Sequence, residues 1–156
     1  MLNYFITPLF LVYSITVVMA SDIKPPALTT LDSLTWQYRI ILIKPQNSQT
    51  EILQQLQSAN ADIIERDIMW FVLNDKNTKS NYTGSIHSDF GKNMEQTYFK
   101  NPNLYYLLIG KDGYVKKQIP KTSKTGQQKT LDLTTLFQLI DSMPMRQSEI
   151  SDRIGS

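Results

Sequence analysis

The residue types that carry most protein chemistry are scarce in this sequence. Its 156 residues include no cysteine and a single histidine, His87. The lack of cysteine excludes thiolate catalysis, disulfides, iron–sulfur clusters and cysteine-ligated zinc. One histidine excludes any site that needs two, and the scattered carboxylates show no spacing typical of zinc or iron ligands. We therefore expect neither a metal nor a cofactor.

Two short motifs contain residues that other proteins use in catalytic or metal sites. His87, Ser88 and Asp89 are the residue types of a hydrolase triad. Adjacency in sequence does not create triad geometry, however, and no nucleophile elbow accompanies them. Met143 and Met145 offer thioether sulfurs of the kind that bind cuprous ion. Because they lie where an apolar helical pattern ends, we interpret them instead as side chains that fill the core.

The one marked charge asymmetry lies between residues 111 and 129. Over the whole chain, 16 basic and 14 acidic residues give a net charge of +2, which argues against a general polyanion binder and makes nucleic acid an unexpected partner. This segment, in contrast, contains six lysines against one carboxylate, Asp112. It is a candidate patch for a polyanion such as an acidic glycan, and the alternative is a solvated hairpin and loop. The lysines are Lys111, Lys116, Lys117, Lys121, Lys124 and Lys129.

Apolar runs predict the strands that would position these groups. Continuous apolar runs indicate buried strands, and an alternating pattern after an Asp-Gly turn indicates an edge strand. The buried strands are expected at 36–43, 67–73 and 104–109, and the edge strand at 114–119.

Helical spacing and capping residues predict three helices. The first starts at a capping box formed by Ser48 and Glu51 and stops at Asn60. The second covers residues 88–99, and the third is capped by Asp132 and ended by Pro144. Just after this proline, Arg146 and Glu149 have the spacing of a local i,i+3 ion pair.

These elements follow one another in the order β-α-β-α-β-β-α. A strand–helix–strand unit places its two strands in parallel, while a tight turn makes the last two antiparallel. The fold class is therefore α/β and thioredoxin-like, with a four-stranded mixed sheet of order 4-3-1-2 flanked by helices. We assign the domain to residues 35–150, preceded by a linker at 21–34 and followed by a tail at 151–156.

The loop after the first strand is the place where thioredoxin-like enzymes carry their reactive thiol. Here it holds Pro45, Gln46, Asn47 and Ser48. A serine hydroxyl forms neither the disulfide nor the sulfenate of thiol redox chemistry, so this activity is excluded. The loop stays a candidate site for an anion or small ligand on helix-terminal amides; the alternative is that Ser48 only caps the helix. Pro102 lies near the position of the thioredoxin cis-proline and completes this candidate loop.

The first 21 residues contain no charged side chain. An apolar run over residues 9–20 ends in Val18-Met19-Ala20, which is the pattern of a secretory signal with a small-residue cleavage site. We expect a signal peptide at residues 1–20, cleaved near Ala20, and a secreted or periplasmic product without a spanning helix. The alternatives are an uncleaved membrane anchor, since about 20 apolar residues span a bilayer, and a plain N-terminal helix.

Three stretches of the chain also resemble one family. They are Glu65-Arg66-Asp67, residues 108–113 with Val115-Lys116, and residues 136–146, which end in Met-Pro-Met-Arg. Together they resemble a peroxiredoxin-like domain of unknown function. It occurs alone in exported bacterial proteins and inside some vertebrate matrix-associated and sushi-repeat proteins. The resemblance spans residues 31–149 and implies a thioredoxin-like fold, export and no established activity.

The sequence thus predicts an exported thioredoxin-like domain without redox cysteines. We interpret it as a non-catalytic binding or interaction module whose partner is an envelope protein or an acidic glycan. One alternative is an enzyme of non-thiol chemistry at the loop after the first strand, using Ser48, His87 or a carboxylate. Another is a membrane-anchored envelope protein. A nucleophile paired with a base in one pocket would favour the enzyme.

Overall fold

The computed structural model describes residues 26–46, 49–74 and 77–155. Within these ranges the strands are β1 (Arg39–Ile43), β2 (Ile68–Val72), β3 (Lys79–Ser80), β4 (Leu104–Ile109) and β5 (Val115–Pro120). The helices are α1 (Gln49–Ser58), α2 (Asn60–Glu65), α3 (Phe90–Tyr98), α4 (Leu133–Asp141) and α5 (Pro144–Ile154). A single 3-10 turn at Asp32–Leu34 precedes β1.

The strands form one mixed sheet in the order β3-β2-β1-β4-β5. β1 pairs with β2 in parallel, and β4 is antiparallel to both β1 and β5. The four predicted strands therefore have the order and directions expected for a thioredoxin-like sheet. The prediction of only four strands is wrong, because β3 pairs antiparallel with β2 and adds a fifth at the edge. Its two residues are polar and too few to give an apolar pattern.

The sheet is covered on both faces, which explains why β1, β2 and β4 consist of continuous apolar runs. Ile41 and Ile43 point to one face, where they pack in a cluster with residues of α1, α2 and α4. Ile40 and Leu42 point to the other face, where the cluster includes residues of α3 and of the segment before β1. In β5 the first four residues are exposed, as expected for an edge strand.

Two helix boundaries differ from their predictions, because the residues expected to end helices begin new ones. Asn60 does not end the helical region with a left-handed residue; it begins α2. Pro144 does not end the last helix, since α4 already stops at Asp141 and Pro144 is the first residue of α5. Proline is favoured at this first position because its missing amide would have no helical partner there. α5 continues to Ile154, past the domain boundary that we placed at residue 150.

Residues 28–34 are part of the domain, which corrects their assignment to a linker. Leu28, Leu31 and Leu34 are buried in the cluster on the α3 face of the sheet. The Leu28 amide donates to the carbonyl of Ser85 at 2.8 Å, and the His87 amide donates to the carbonyl of Leu28 at 2.9 Å. Apolar burial and backbone pairing together hold this segment against the sheet.

The predicted signal peptide, residues 1–20, lies outside the described residues. Among the residues that the structure describes, none of the helices combines the length and the apolar character needed to cross a membrane.

Candidate functional site

The loop after β1 lies at the carboxyl end of the two parallel strands. Pro45 and Gln46 are described, whereas Asn47 and Ser48 lie outside the described residues. The side-chain Nε2 of Gln46 donates to the carbonyl of Lys121 at 3.4 Å. The side-chain Oε1 of Gln46 accepts from Nε2 of Gln128, also at 3.4 Å. A cavity of about 280 Å³ beside Gln46 is lined by residues of α1, Tyr105 and residues 128–131.

Pro102 lies at this same end of the sheet. It precedes β4, and the Lys44 amide donates to the carbonyl of Tyr105 at 2.8 Å, which joins the start of β4 to the end of β1. Pro102 is exposed, and none of the described peptide bonds is cis. The Lys44 ammonium pairs with Glu95 of α3. The described part of this loop therefore offers the side-chain amide of Gln46 and the Lys44–Glu95 ion pair, and it contains no nucleophilic side chain.

The lysine segment separates into two groups. Lys111 is mostly buried, and its Nζ pairs with Asp67 at 2.9 Å and with Glu149 at 2.8 Å. Lys116 pairs with Asp112 at 2.6 Å, a contact that holds the pKa of the Asp112 carboxyl below its ordinary value. Both lysines are thus neutralised within the chain.

The second group lies in β5 and the loop after it, and two of its lysines line a groove between β5 and α4. This groove has a volume of about 460 Å³ and is lined by Lys117, Lys129, Ile119 and Leu136, among others. Within the described part of the chain, the ammonium groups of this second group make no ion pair. The group consists of Lys117, Lys121, Lys124 and Lys129, of which all but Lys121 are exposed.

The remaining candidate motifs do not assemble into a catalytic or metal site. His87 is half exposed, and its Nδ1 accepts from the Asp89 amide at 3.2 Å and lies 3.7 Å from the Asp89 carboxylate. Met143 packs against the core, whereas Met145 is exposed, so only the first fills the core as predicted. The described residues contain no group of three or more side chains placed to hold a metal ion.

A cluster of ion pairs that the sequence analysis did not foresee occupies the opposite end of the sheet. Arg39, the first residue of β1, is 1% exposed, and its Nη2 contacts both carboxylate oxygens of Glu149 at 3.1 Å. Its Nη1 donates to the carbonyl of Arg66 at 2.9 Å. Glu149 also accepts from Lys111 and lies 3.7 Å from Arg146, which confirms the predicted local pair.

A second carboxylate, Asp141 at the end of α4, joins this cluster. Arg66 binds it through Nε and Nη2, at 3.0 and 2.8 Å, and Arg146 binds it through Nε at 3.3 Å. Arg146 is itself 1% exposed and also pairs with Glu65 at 2.5 Å. We call this set the ionic cluster; it comprises Arg39, Glu65, Arg66, Asp67, Lys111, Asp141, Arg146 and Glu149.

The cations of the ionic cluster keep its central carboxylates ionised. Partial burial acts to raise the pKa of Glu149, but hydrogen bonds from Arg39 and Lys111 outweigh burial and hold that pKa below its ordinary value. The pKa of Asp141 is lowered in the same way, since bonds from Arg66 and Arg146 outweigh its burial. In return, Asp141 keeps the pKa of Arg66 raised despite the opposing effect of burial.

One signal in the sequence pointed to this cluster. Arg39 directly precedes the apolar run Ile40–Ile43, and arginine is almost never fully buried unless it is paired. The identity of its partner was not accessible, because Glu149 lies 110 positions away in the sequence.

Comparison with known proteins gives a family match over most of the chain. The model of a family described as "Domain of unknown function (DUF4174)" matches residues 30–149. The chain belongs to this family. A comparison with curated proteins found no match. Among solved structures, the chain is similar to the mitochondrial 2-Cys peroxiredoxin from Plasmodium falciparum, with 17% identity over 70% of this chain and 77% of that chain and a TM-score of 0.48.

The DUF4174 match covers the groove and the ionic cluster. The matched residues, 30–149, include Lys117 and Lys129 of the groove and every residue of the ionic cluster. The family description assigns no activity.

Proposed function

We propose that this DUF4174 chain is an exported, non-catalytic module that binds an acidic partner at the groove between β5 and α4. Thiol redox chemistry is excluded because the chain has no cysteine. The observation that carries the proposal is the contrast among the lysines. Lys111 and Lys116 are paired with carboxylates, whereas no carboxylate of the described residues forms an ion pair with the second group, of which Lys117 and Lys129 line the groove.

The lining of the groove supports binding of an acidic partner. It combines the apolar Leu136 and the partly buried Ile119 with the two cations Lys117 and Lys129. One carboxylate, Asp132, also lines the groove and accepts from the amide and hydroxyl of Thr135 as the cap of α4. These bonds and the nearby charge of Lys129 hold the pKa of Asp132 below its ordinary value, so Asp132 offsets part of the positive charge of the groove. A partner that presents acidic groups to these two lysines, such as an acidic glycan of the cell envelope, matches these features.

A pair of charge-matched triple variants tests the groove. The first variant combines Lys117→Gln, Lys124→Gln and Lys129→Gln, and the control combines Lys79→Gln, Lys92→Gln and Lys100→Gln, which are exposed elsewhere. Each removes three positive charges, so a non-specific effect of net charge is the same in both. Binding is measured as the salt concentration that elutes each protein from immobilised heparin and from immobilised polyglutamate.

We expect the groove variant to elute at lower salt than the control, which should behave like the parent chain. A larger difference on heparin supports the glycan, and a larger difference on polyglutamate supports an acidic protein. Equal elution of the two variants would contradict the proposed site.

The export part of the proposal rests on the uncharged N-terminal segment and is tested separately. The intact mass and N-terminal sequence are determined for protein recovered from the culture fluid, the periplasm and the membranes. A chain that begins at Ser21 in a soluble fraction supports a cleaved signal peptide. A chain that begins at Met1 and stays in the membranes would overturn it in favour of a tethered module.

A further inference from the structure

The cavity beside Gln46 lies at the carboxyl end of β1 and β2, where open α/β sheets usually bind their ligands. Its volume of about 280 Å³ is close to the lower limit of small-molecule sites. One wall belongs to α1 and another to the segment just before α4. Nε2 of Gln55 donates to the carbonyl of Leu131 at 2.7 Å and joins these two walls. The cavity is therefore bounded by elements that are bonded to each other.

Tyr105 lines this cavity because β4 is irregular at this point. Leu104 pairs with Pro120 and Tyr106 pairs with Ile119, so Tyr105 is an extra residue on β4, as in a β-bulge. Neighbouring residues of a regular strand point to opposite faces of the sheet. Here Tyr105 and Tyr106 instead pack in the same cluster, on the face that α1 and α4 cover. Bulges that re-aim a side chain in this way are frequent next to active sites.

The Tyr105 side chain is buried without a hydrogen-bond partner. It is 6% exposed, and its hydroxyl forms no hydrogen bond with the residues that the structure describes. Buried hydroxyls usually have a partner, as the neighbouring Tyr106 does, whose hydroxyl accepts from the Asp132 amide at 3.4 Å. Burial, Tyr106 and the charge of Glu51 all raise the pKa of Tyr105. The Tyr105 hydroxyl therefore stays protonated and can both donate to a ligand and accept from it.

Two charges of opposite sign also line the cavity. The Glu51 carboxylate belongs to the first turn of α1, and the Lys129 ammonium belongs to the segment before α4. Both side chains are exposed, and neither forms an ion pair within the described part of the chain. Asp132 feels the charge of Lys129, but its carboxylate accepts from Thr135 and does not line this cavity. A ligand can therefore meet one anion and one cation here.

We propose that this cavity binds an α-amino acid in its zwitterionic form. The ammonium group of the amino acid meets Glu51 and donates to the Tyr105 hydroxyl, while its carboxylate meets Lys129. Ile52 and Leu131 are buried and offer apolar contacts to its side chain. A sugar of similar size would bond to the hydroxyl and the amides but would leave both charges without partners. This site goes beyond the proposed function of the groove and does not depend on it.

Three related ligands test the need for both charges. The purified, ¹⁵N-labelled chain is titrated with L-leucine, with L-leucinamide, which lacks the carboxylate, and with N-acetyl-L-leucine, which lacks the ammonium group. We expect L-leucine to shift the backbone amide signal of Leu131 and the side-chain amide signals of Gln55 in a saturable way. The other two ligands should each bind at least about fivefold more weakly. Methyl glucoside, a neutral polyol, should leave these signals unchanged.

A matched pair of lysine variants separates the cavity from the groove. Lys117 and Lys129 both line the groove, but only Lys129 lines the cavity. Lys129→Gln should weaken binding of L-leucine about fivefold and Lys117→Gln should leave it unchanged, whereas both should elute from heparin at lower salt.

Two further variants change the cavity without touching the groove lysines. Tyr105→Phe keeps the buried ring and removes only its hydroxyl, and Glu51→Gln removes a charge at an exposed position. Each should weaken binding of L-leucine about fivefold without lowering the salt needed for elution from heparin. The remaining ¹⁵N signals report whether the fold is intact.

Several outcomes would overturn the amino-acid site. They are the lack of a saturable shift with L-leucine, equal binding of the three leucine ligands, or equal binding of L-leucine by Lys129→Gln and Lys117→Gln. Saturable shifts with methyl glucoside alone would assign the cavity to a sugar instead. If L-leucine binds as expected but neither lysine variant changes elution from heparin, the groove fails and the cavity stands. The reverse result overturns the cavity and leaves the groove.

Discussion

The two ends of the sheet use polar residues in different ways. At the carboxyl end of β1 and β2, the described residues form the side-chain hydrogen bonds of Gln46 and one partly exposed ion pair, Lys44–Glu95. At the amino end, the ionic cluster brings together four cations and four carboxylates, and two of its arginines are almost fully buried. Ligands of open α/β sheets usually bind at the carboxyl end of the strands. In this chain, the denser set of charges lies at the other end.

The difference follows from how the last helix is attached. The one buried side chain of α5 is that of Arg146, so apolar packing contributes little to its position. Its contacts are mainly ionic, through Arg146 to Glu65 and Asp141 and through Glu149 to Arg39 and Lys111. Buried charges are costly unless each has a partner. We infer that the ionic cluster is a fixed structural element, whereas the Lys44–Glu95 ion pair at the carboxyl end tolerates substitution.

The largest expected effect comes from matched glutamate replacements at the two ends. Glu149→Ala leaves the buried Arg39 without its carboxylate partner and should lower the free energy of unfolding by about 3 kcal/mol. Glu95→Ala breaks the Lys44 pair, whose side chains are 34% and 25% exposed, and should cost about 1 kcal/mol or less. Urea denaturation followed by circular dichroism measures both.

Acetate offers a control for this interpretation. If Glu149→Ala is destabilised through an unpaired cationic site, acetate should restore part of the lost stability, while an equal concentration of chloride should restore less. If Glu149→Ala and Glu95→Ala lower the free energy of unfolding equally, the ionic cluster is no more important for stability than the ion pair at the carboxyl end.

Acid should weaken the ionic cluster at the amino end. The pKa values of Glu149 and Asp141 lie below their ordinary values of 4.5 and 3.8 in the folded chain, so the unfolded chain takes up protons at higher pH than the folded one. Their contribution to stability is therefore complete above about pH 5.5 and is lost as the pH falls through the folded pKa values. The loss should be smaller than in Glu149→Ala, because a protonated carboxyl still fills its place and forms hydrogen bonds.

Denaturation midpoints between pH 7 and pH 3 measure this effect. The variant Glu149→Gln keeps the shape of the side chain but cannot titrate, so its stability should decline less steeply with acid than that of the parent chain. Parallel declines would show that Glu149 does not contribute to the acid sensitivity.

The sequence predicts the buried strands well, but it predicts poorly where the domain begins and ends. Strands buried on both faces leave continuous apolar runs, and β4 has the predicted bounds. β3 leaves no such pattern because it consists of Lys79 and Ser80. Pro144 is compatible with both the end and the start of a helix, and α5 shows little apolar spacing because it is held by charges.

Most pairs of the ionic cluster cannot be predicted from the sequence, because their members lie far apart along the chain. Spacing along a helix predicts the Arg146–Glu149 pair, but Arg39–Glu149 and Arg66–Asp141 depend on tertiary structure. The sequence predicts one lysine patch because it shows charges and not their partners. Lys111 and Lys116 form ion pairs, whereas the other four lysines form none with the described residues.

The smallest changes in the free energy of unfolding are expected from replacing one glycine by alanine at each end of the sheet. At the carboxyl end, a Cβ on Gly91 of α3 would lie 2.8 Å from the carbonyl oxygen of Asn74, just after β2. That backbone cannot move freely, so the clash should outweigh the helix preference for alanine and Gly91→Ala should lose about 1 kcal/mol. At the amino end, Gly110→Ala displaces flexible side-chain ends and should change stability by about 0.5 kcal/mol or less. Urea midpoints measure both variants. A larger loss for Gly110→Ala would mean that the turn beside the ionic cluster is packed more rigidly than the junction of α3 with the sheet, and would place the less tolerant backbone at the amino end.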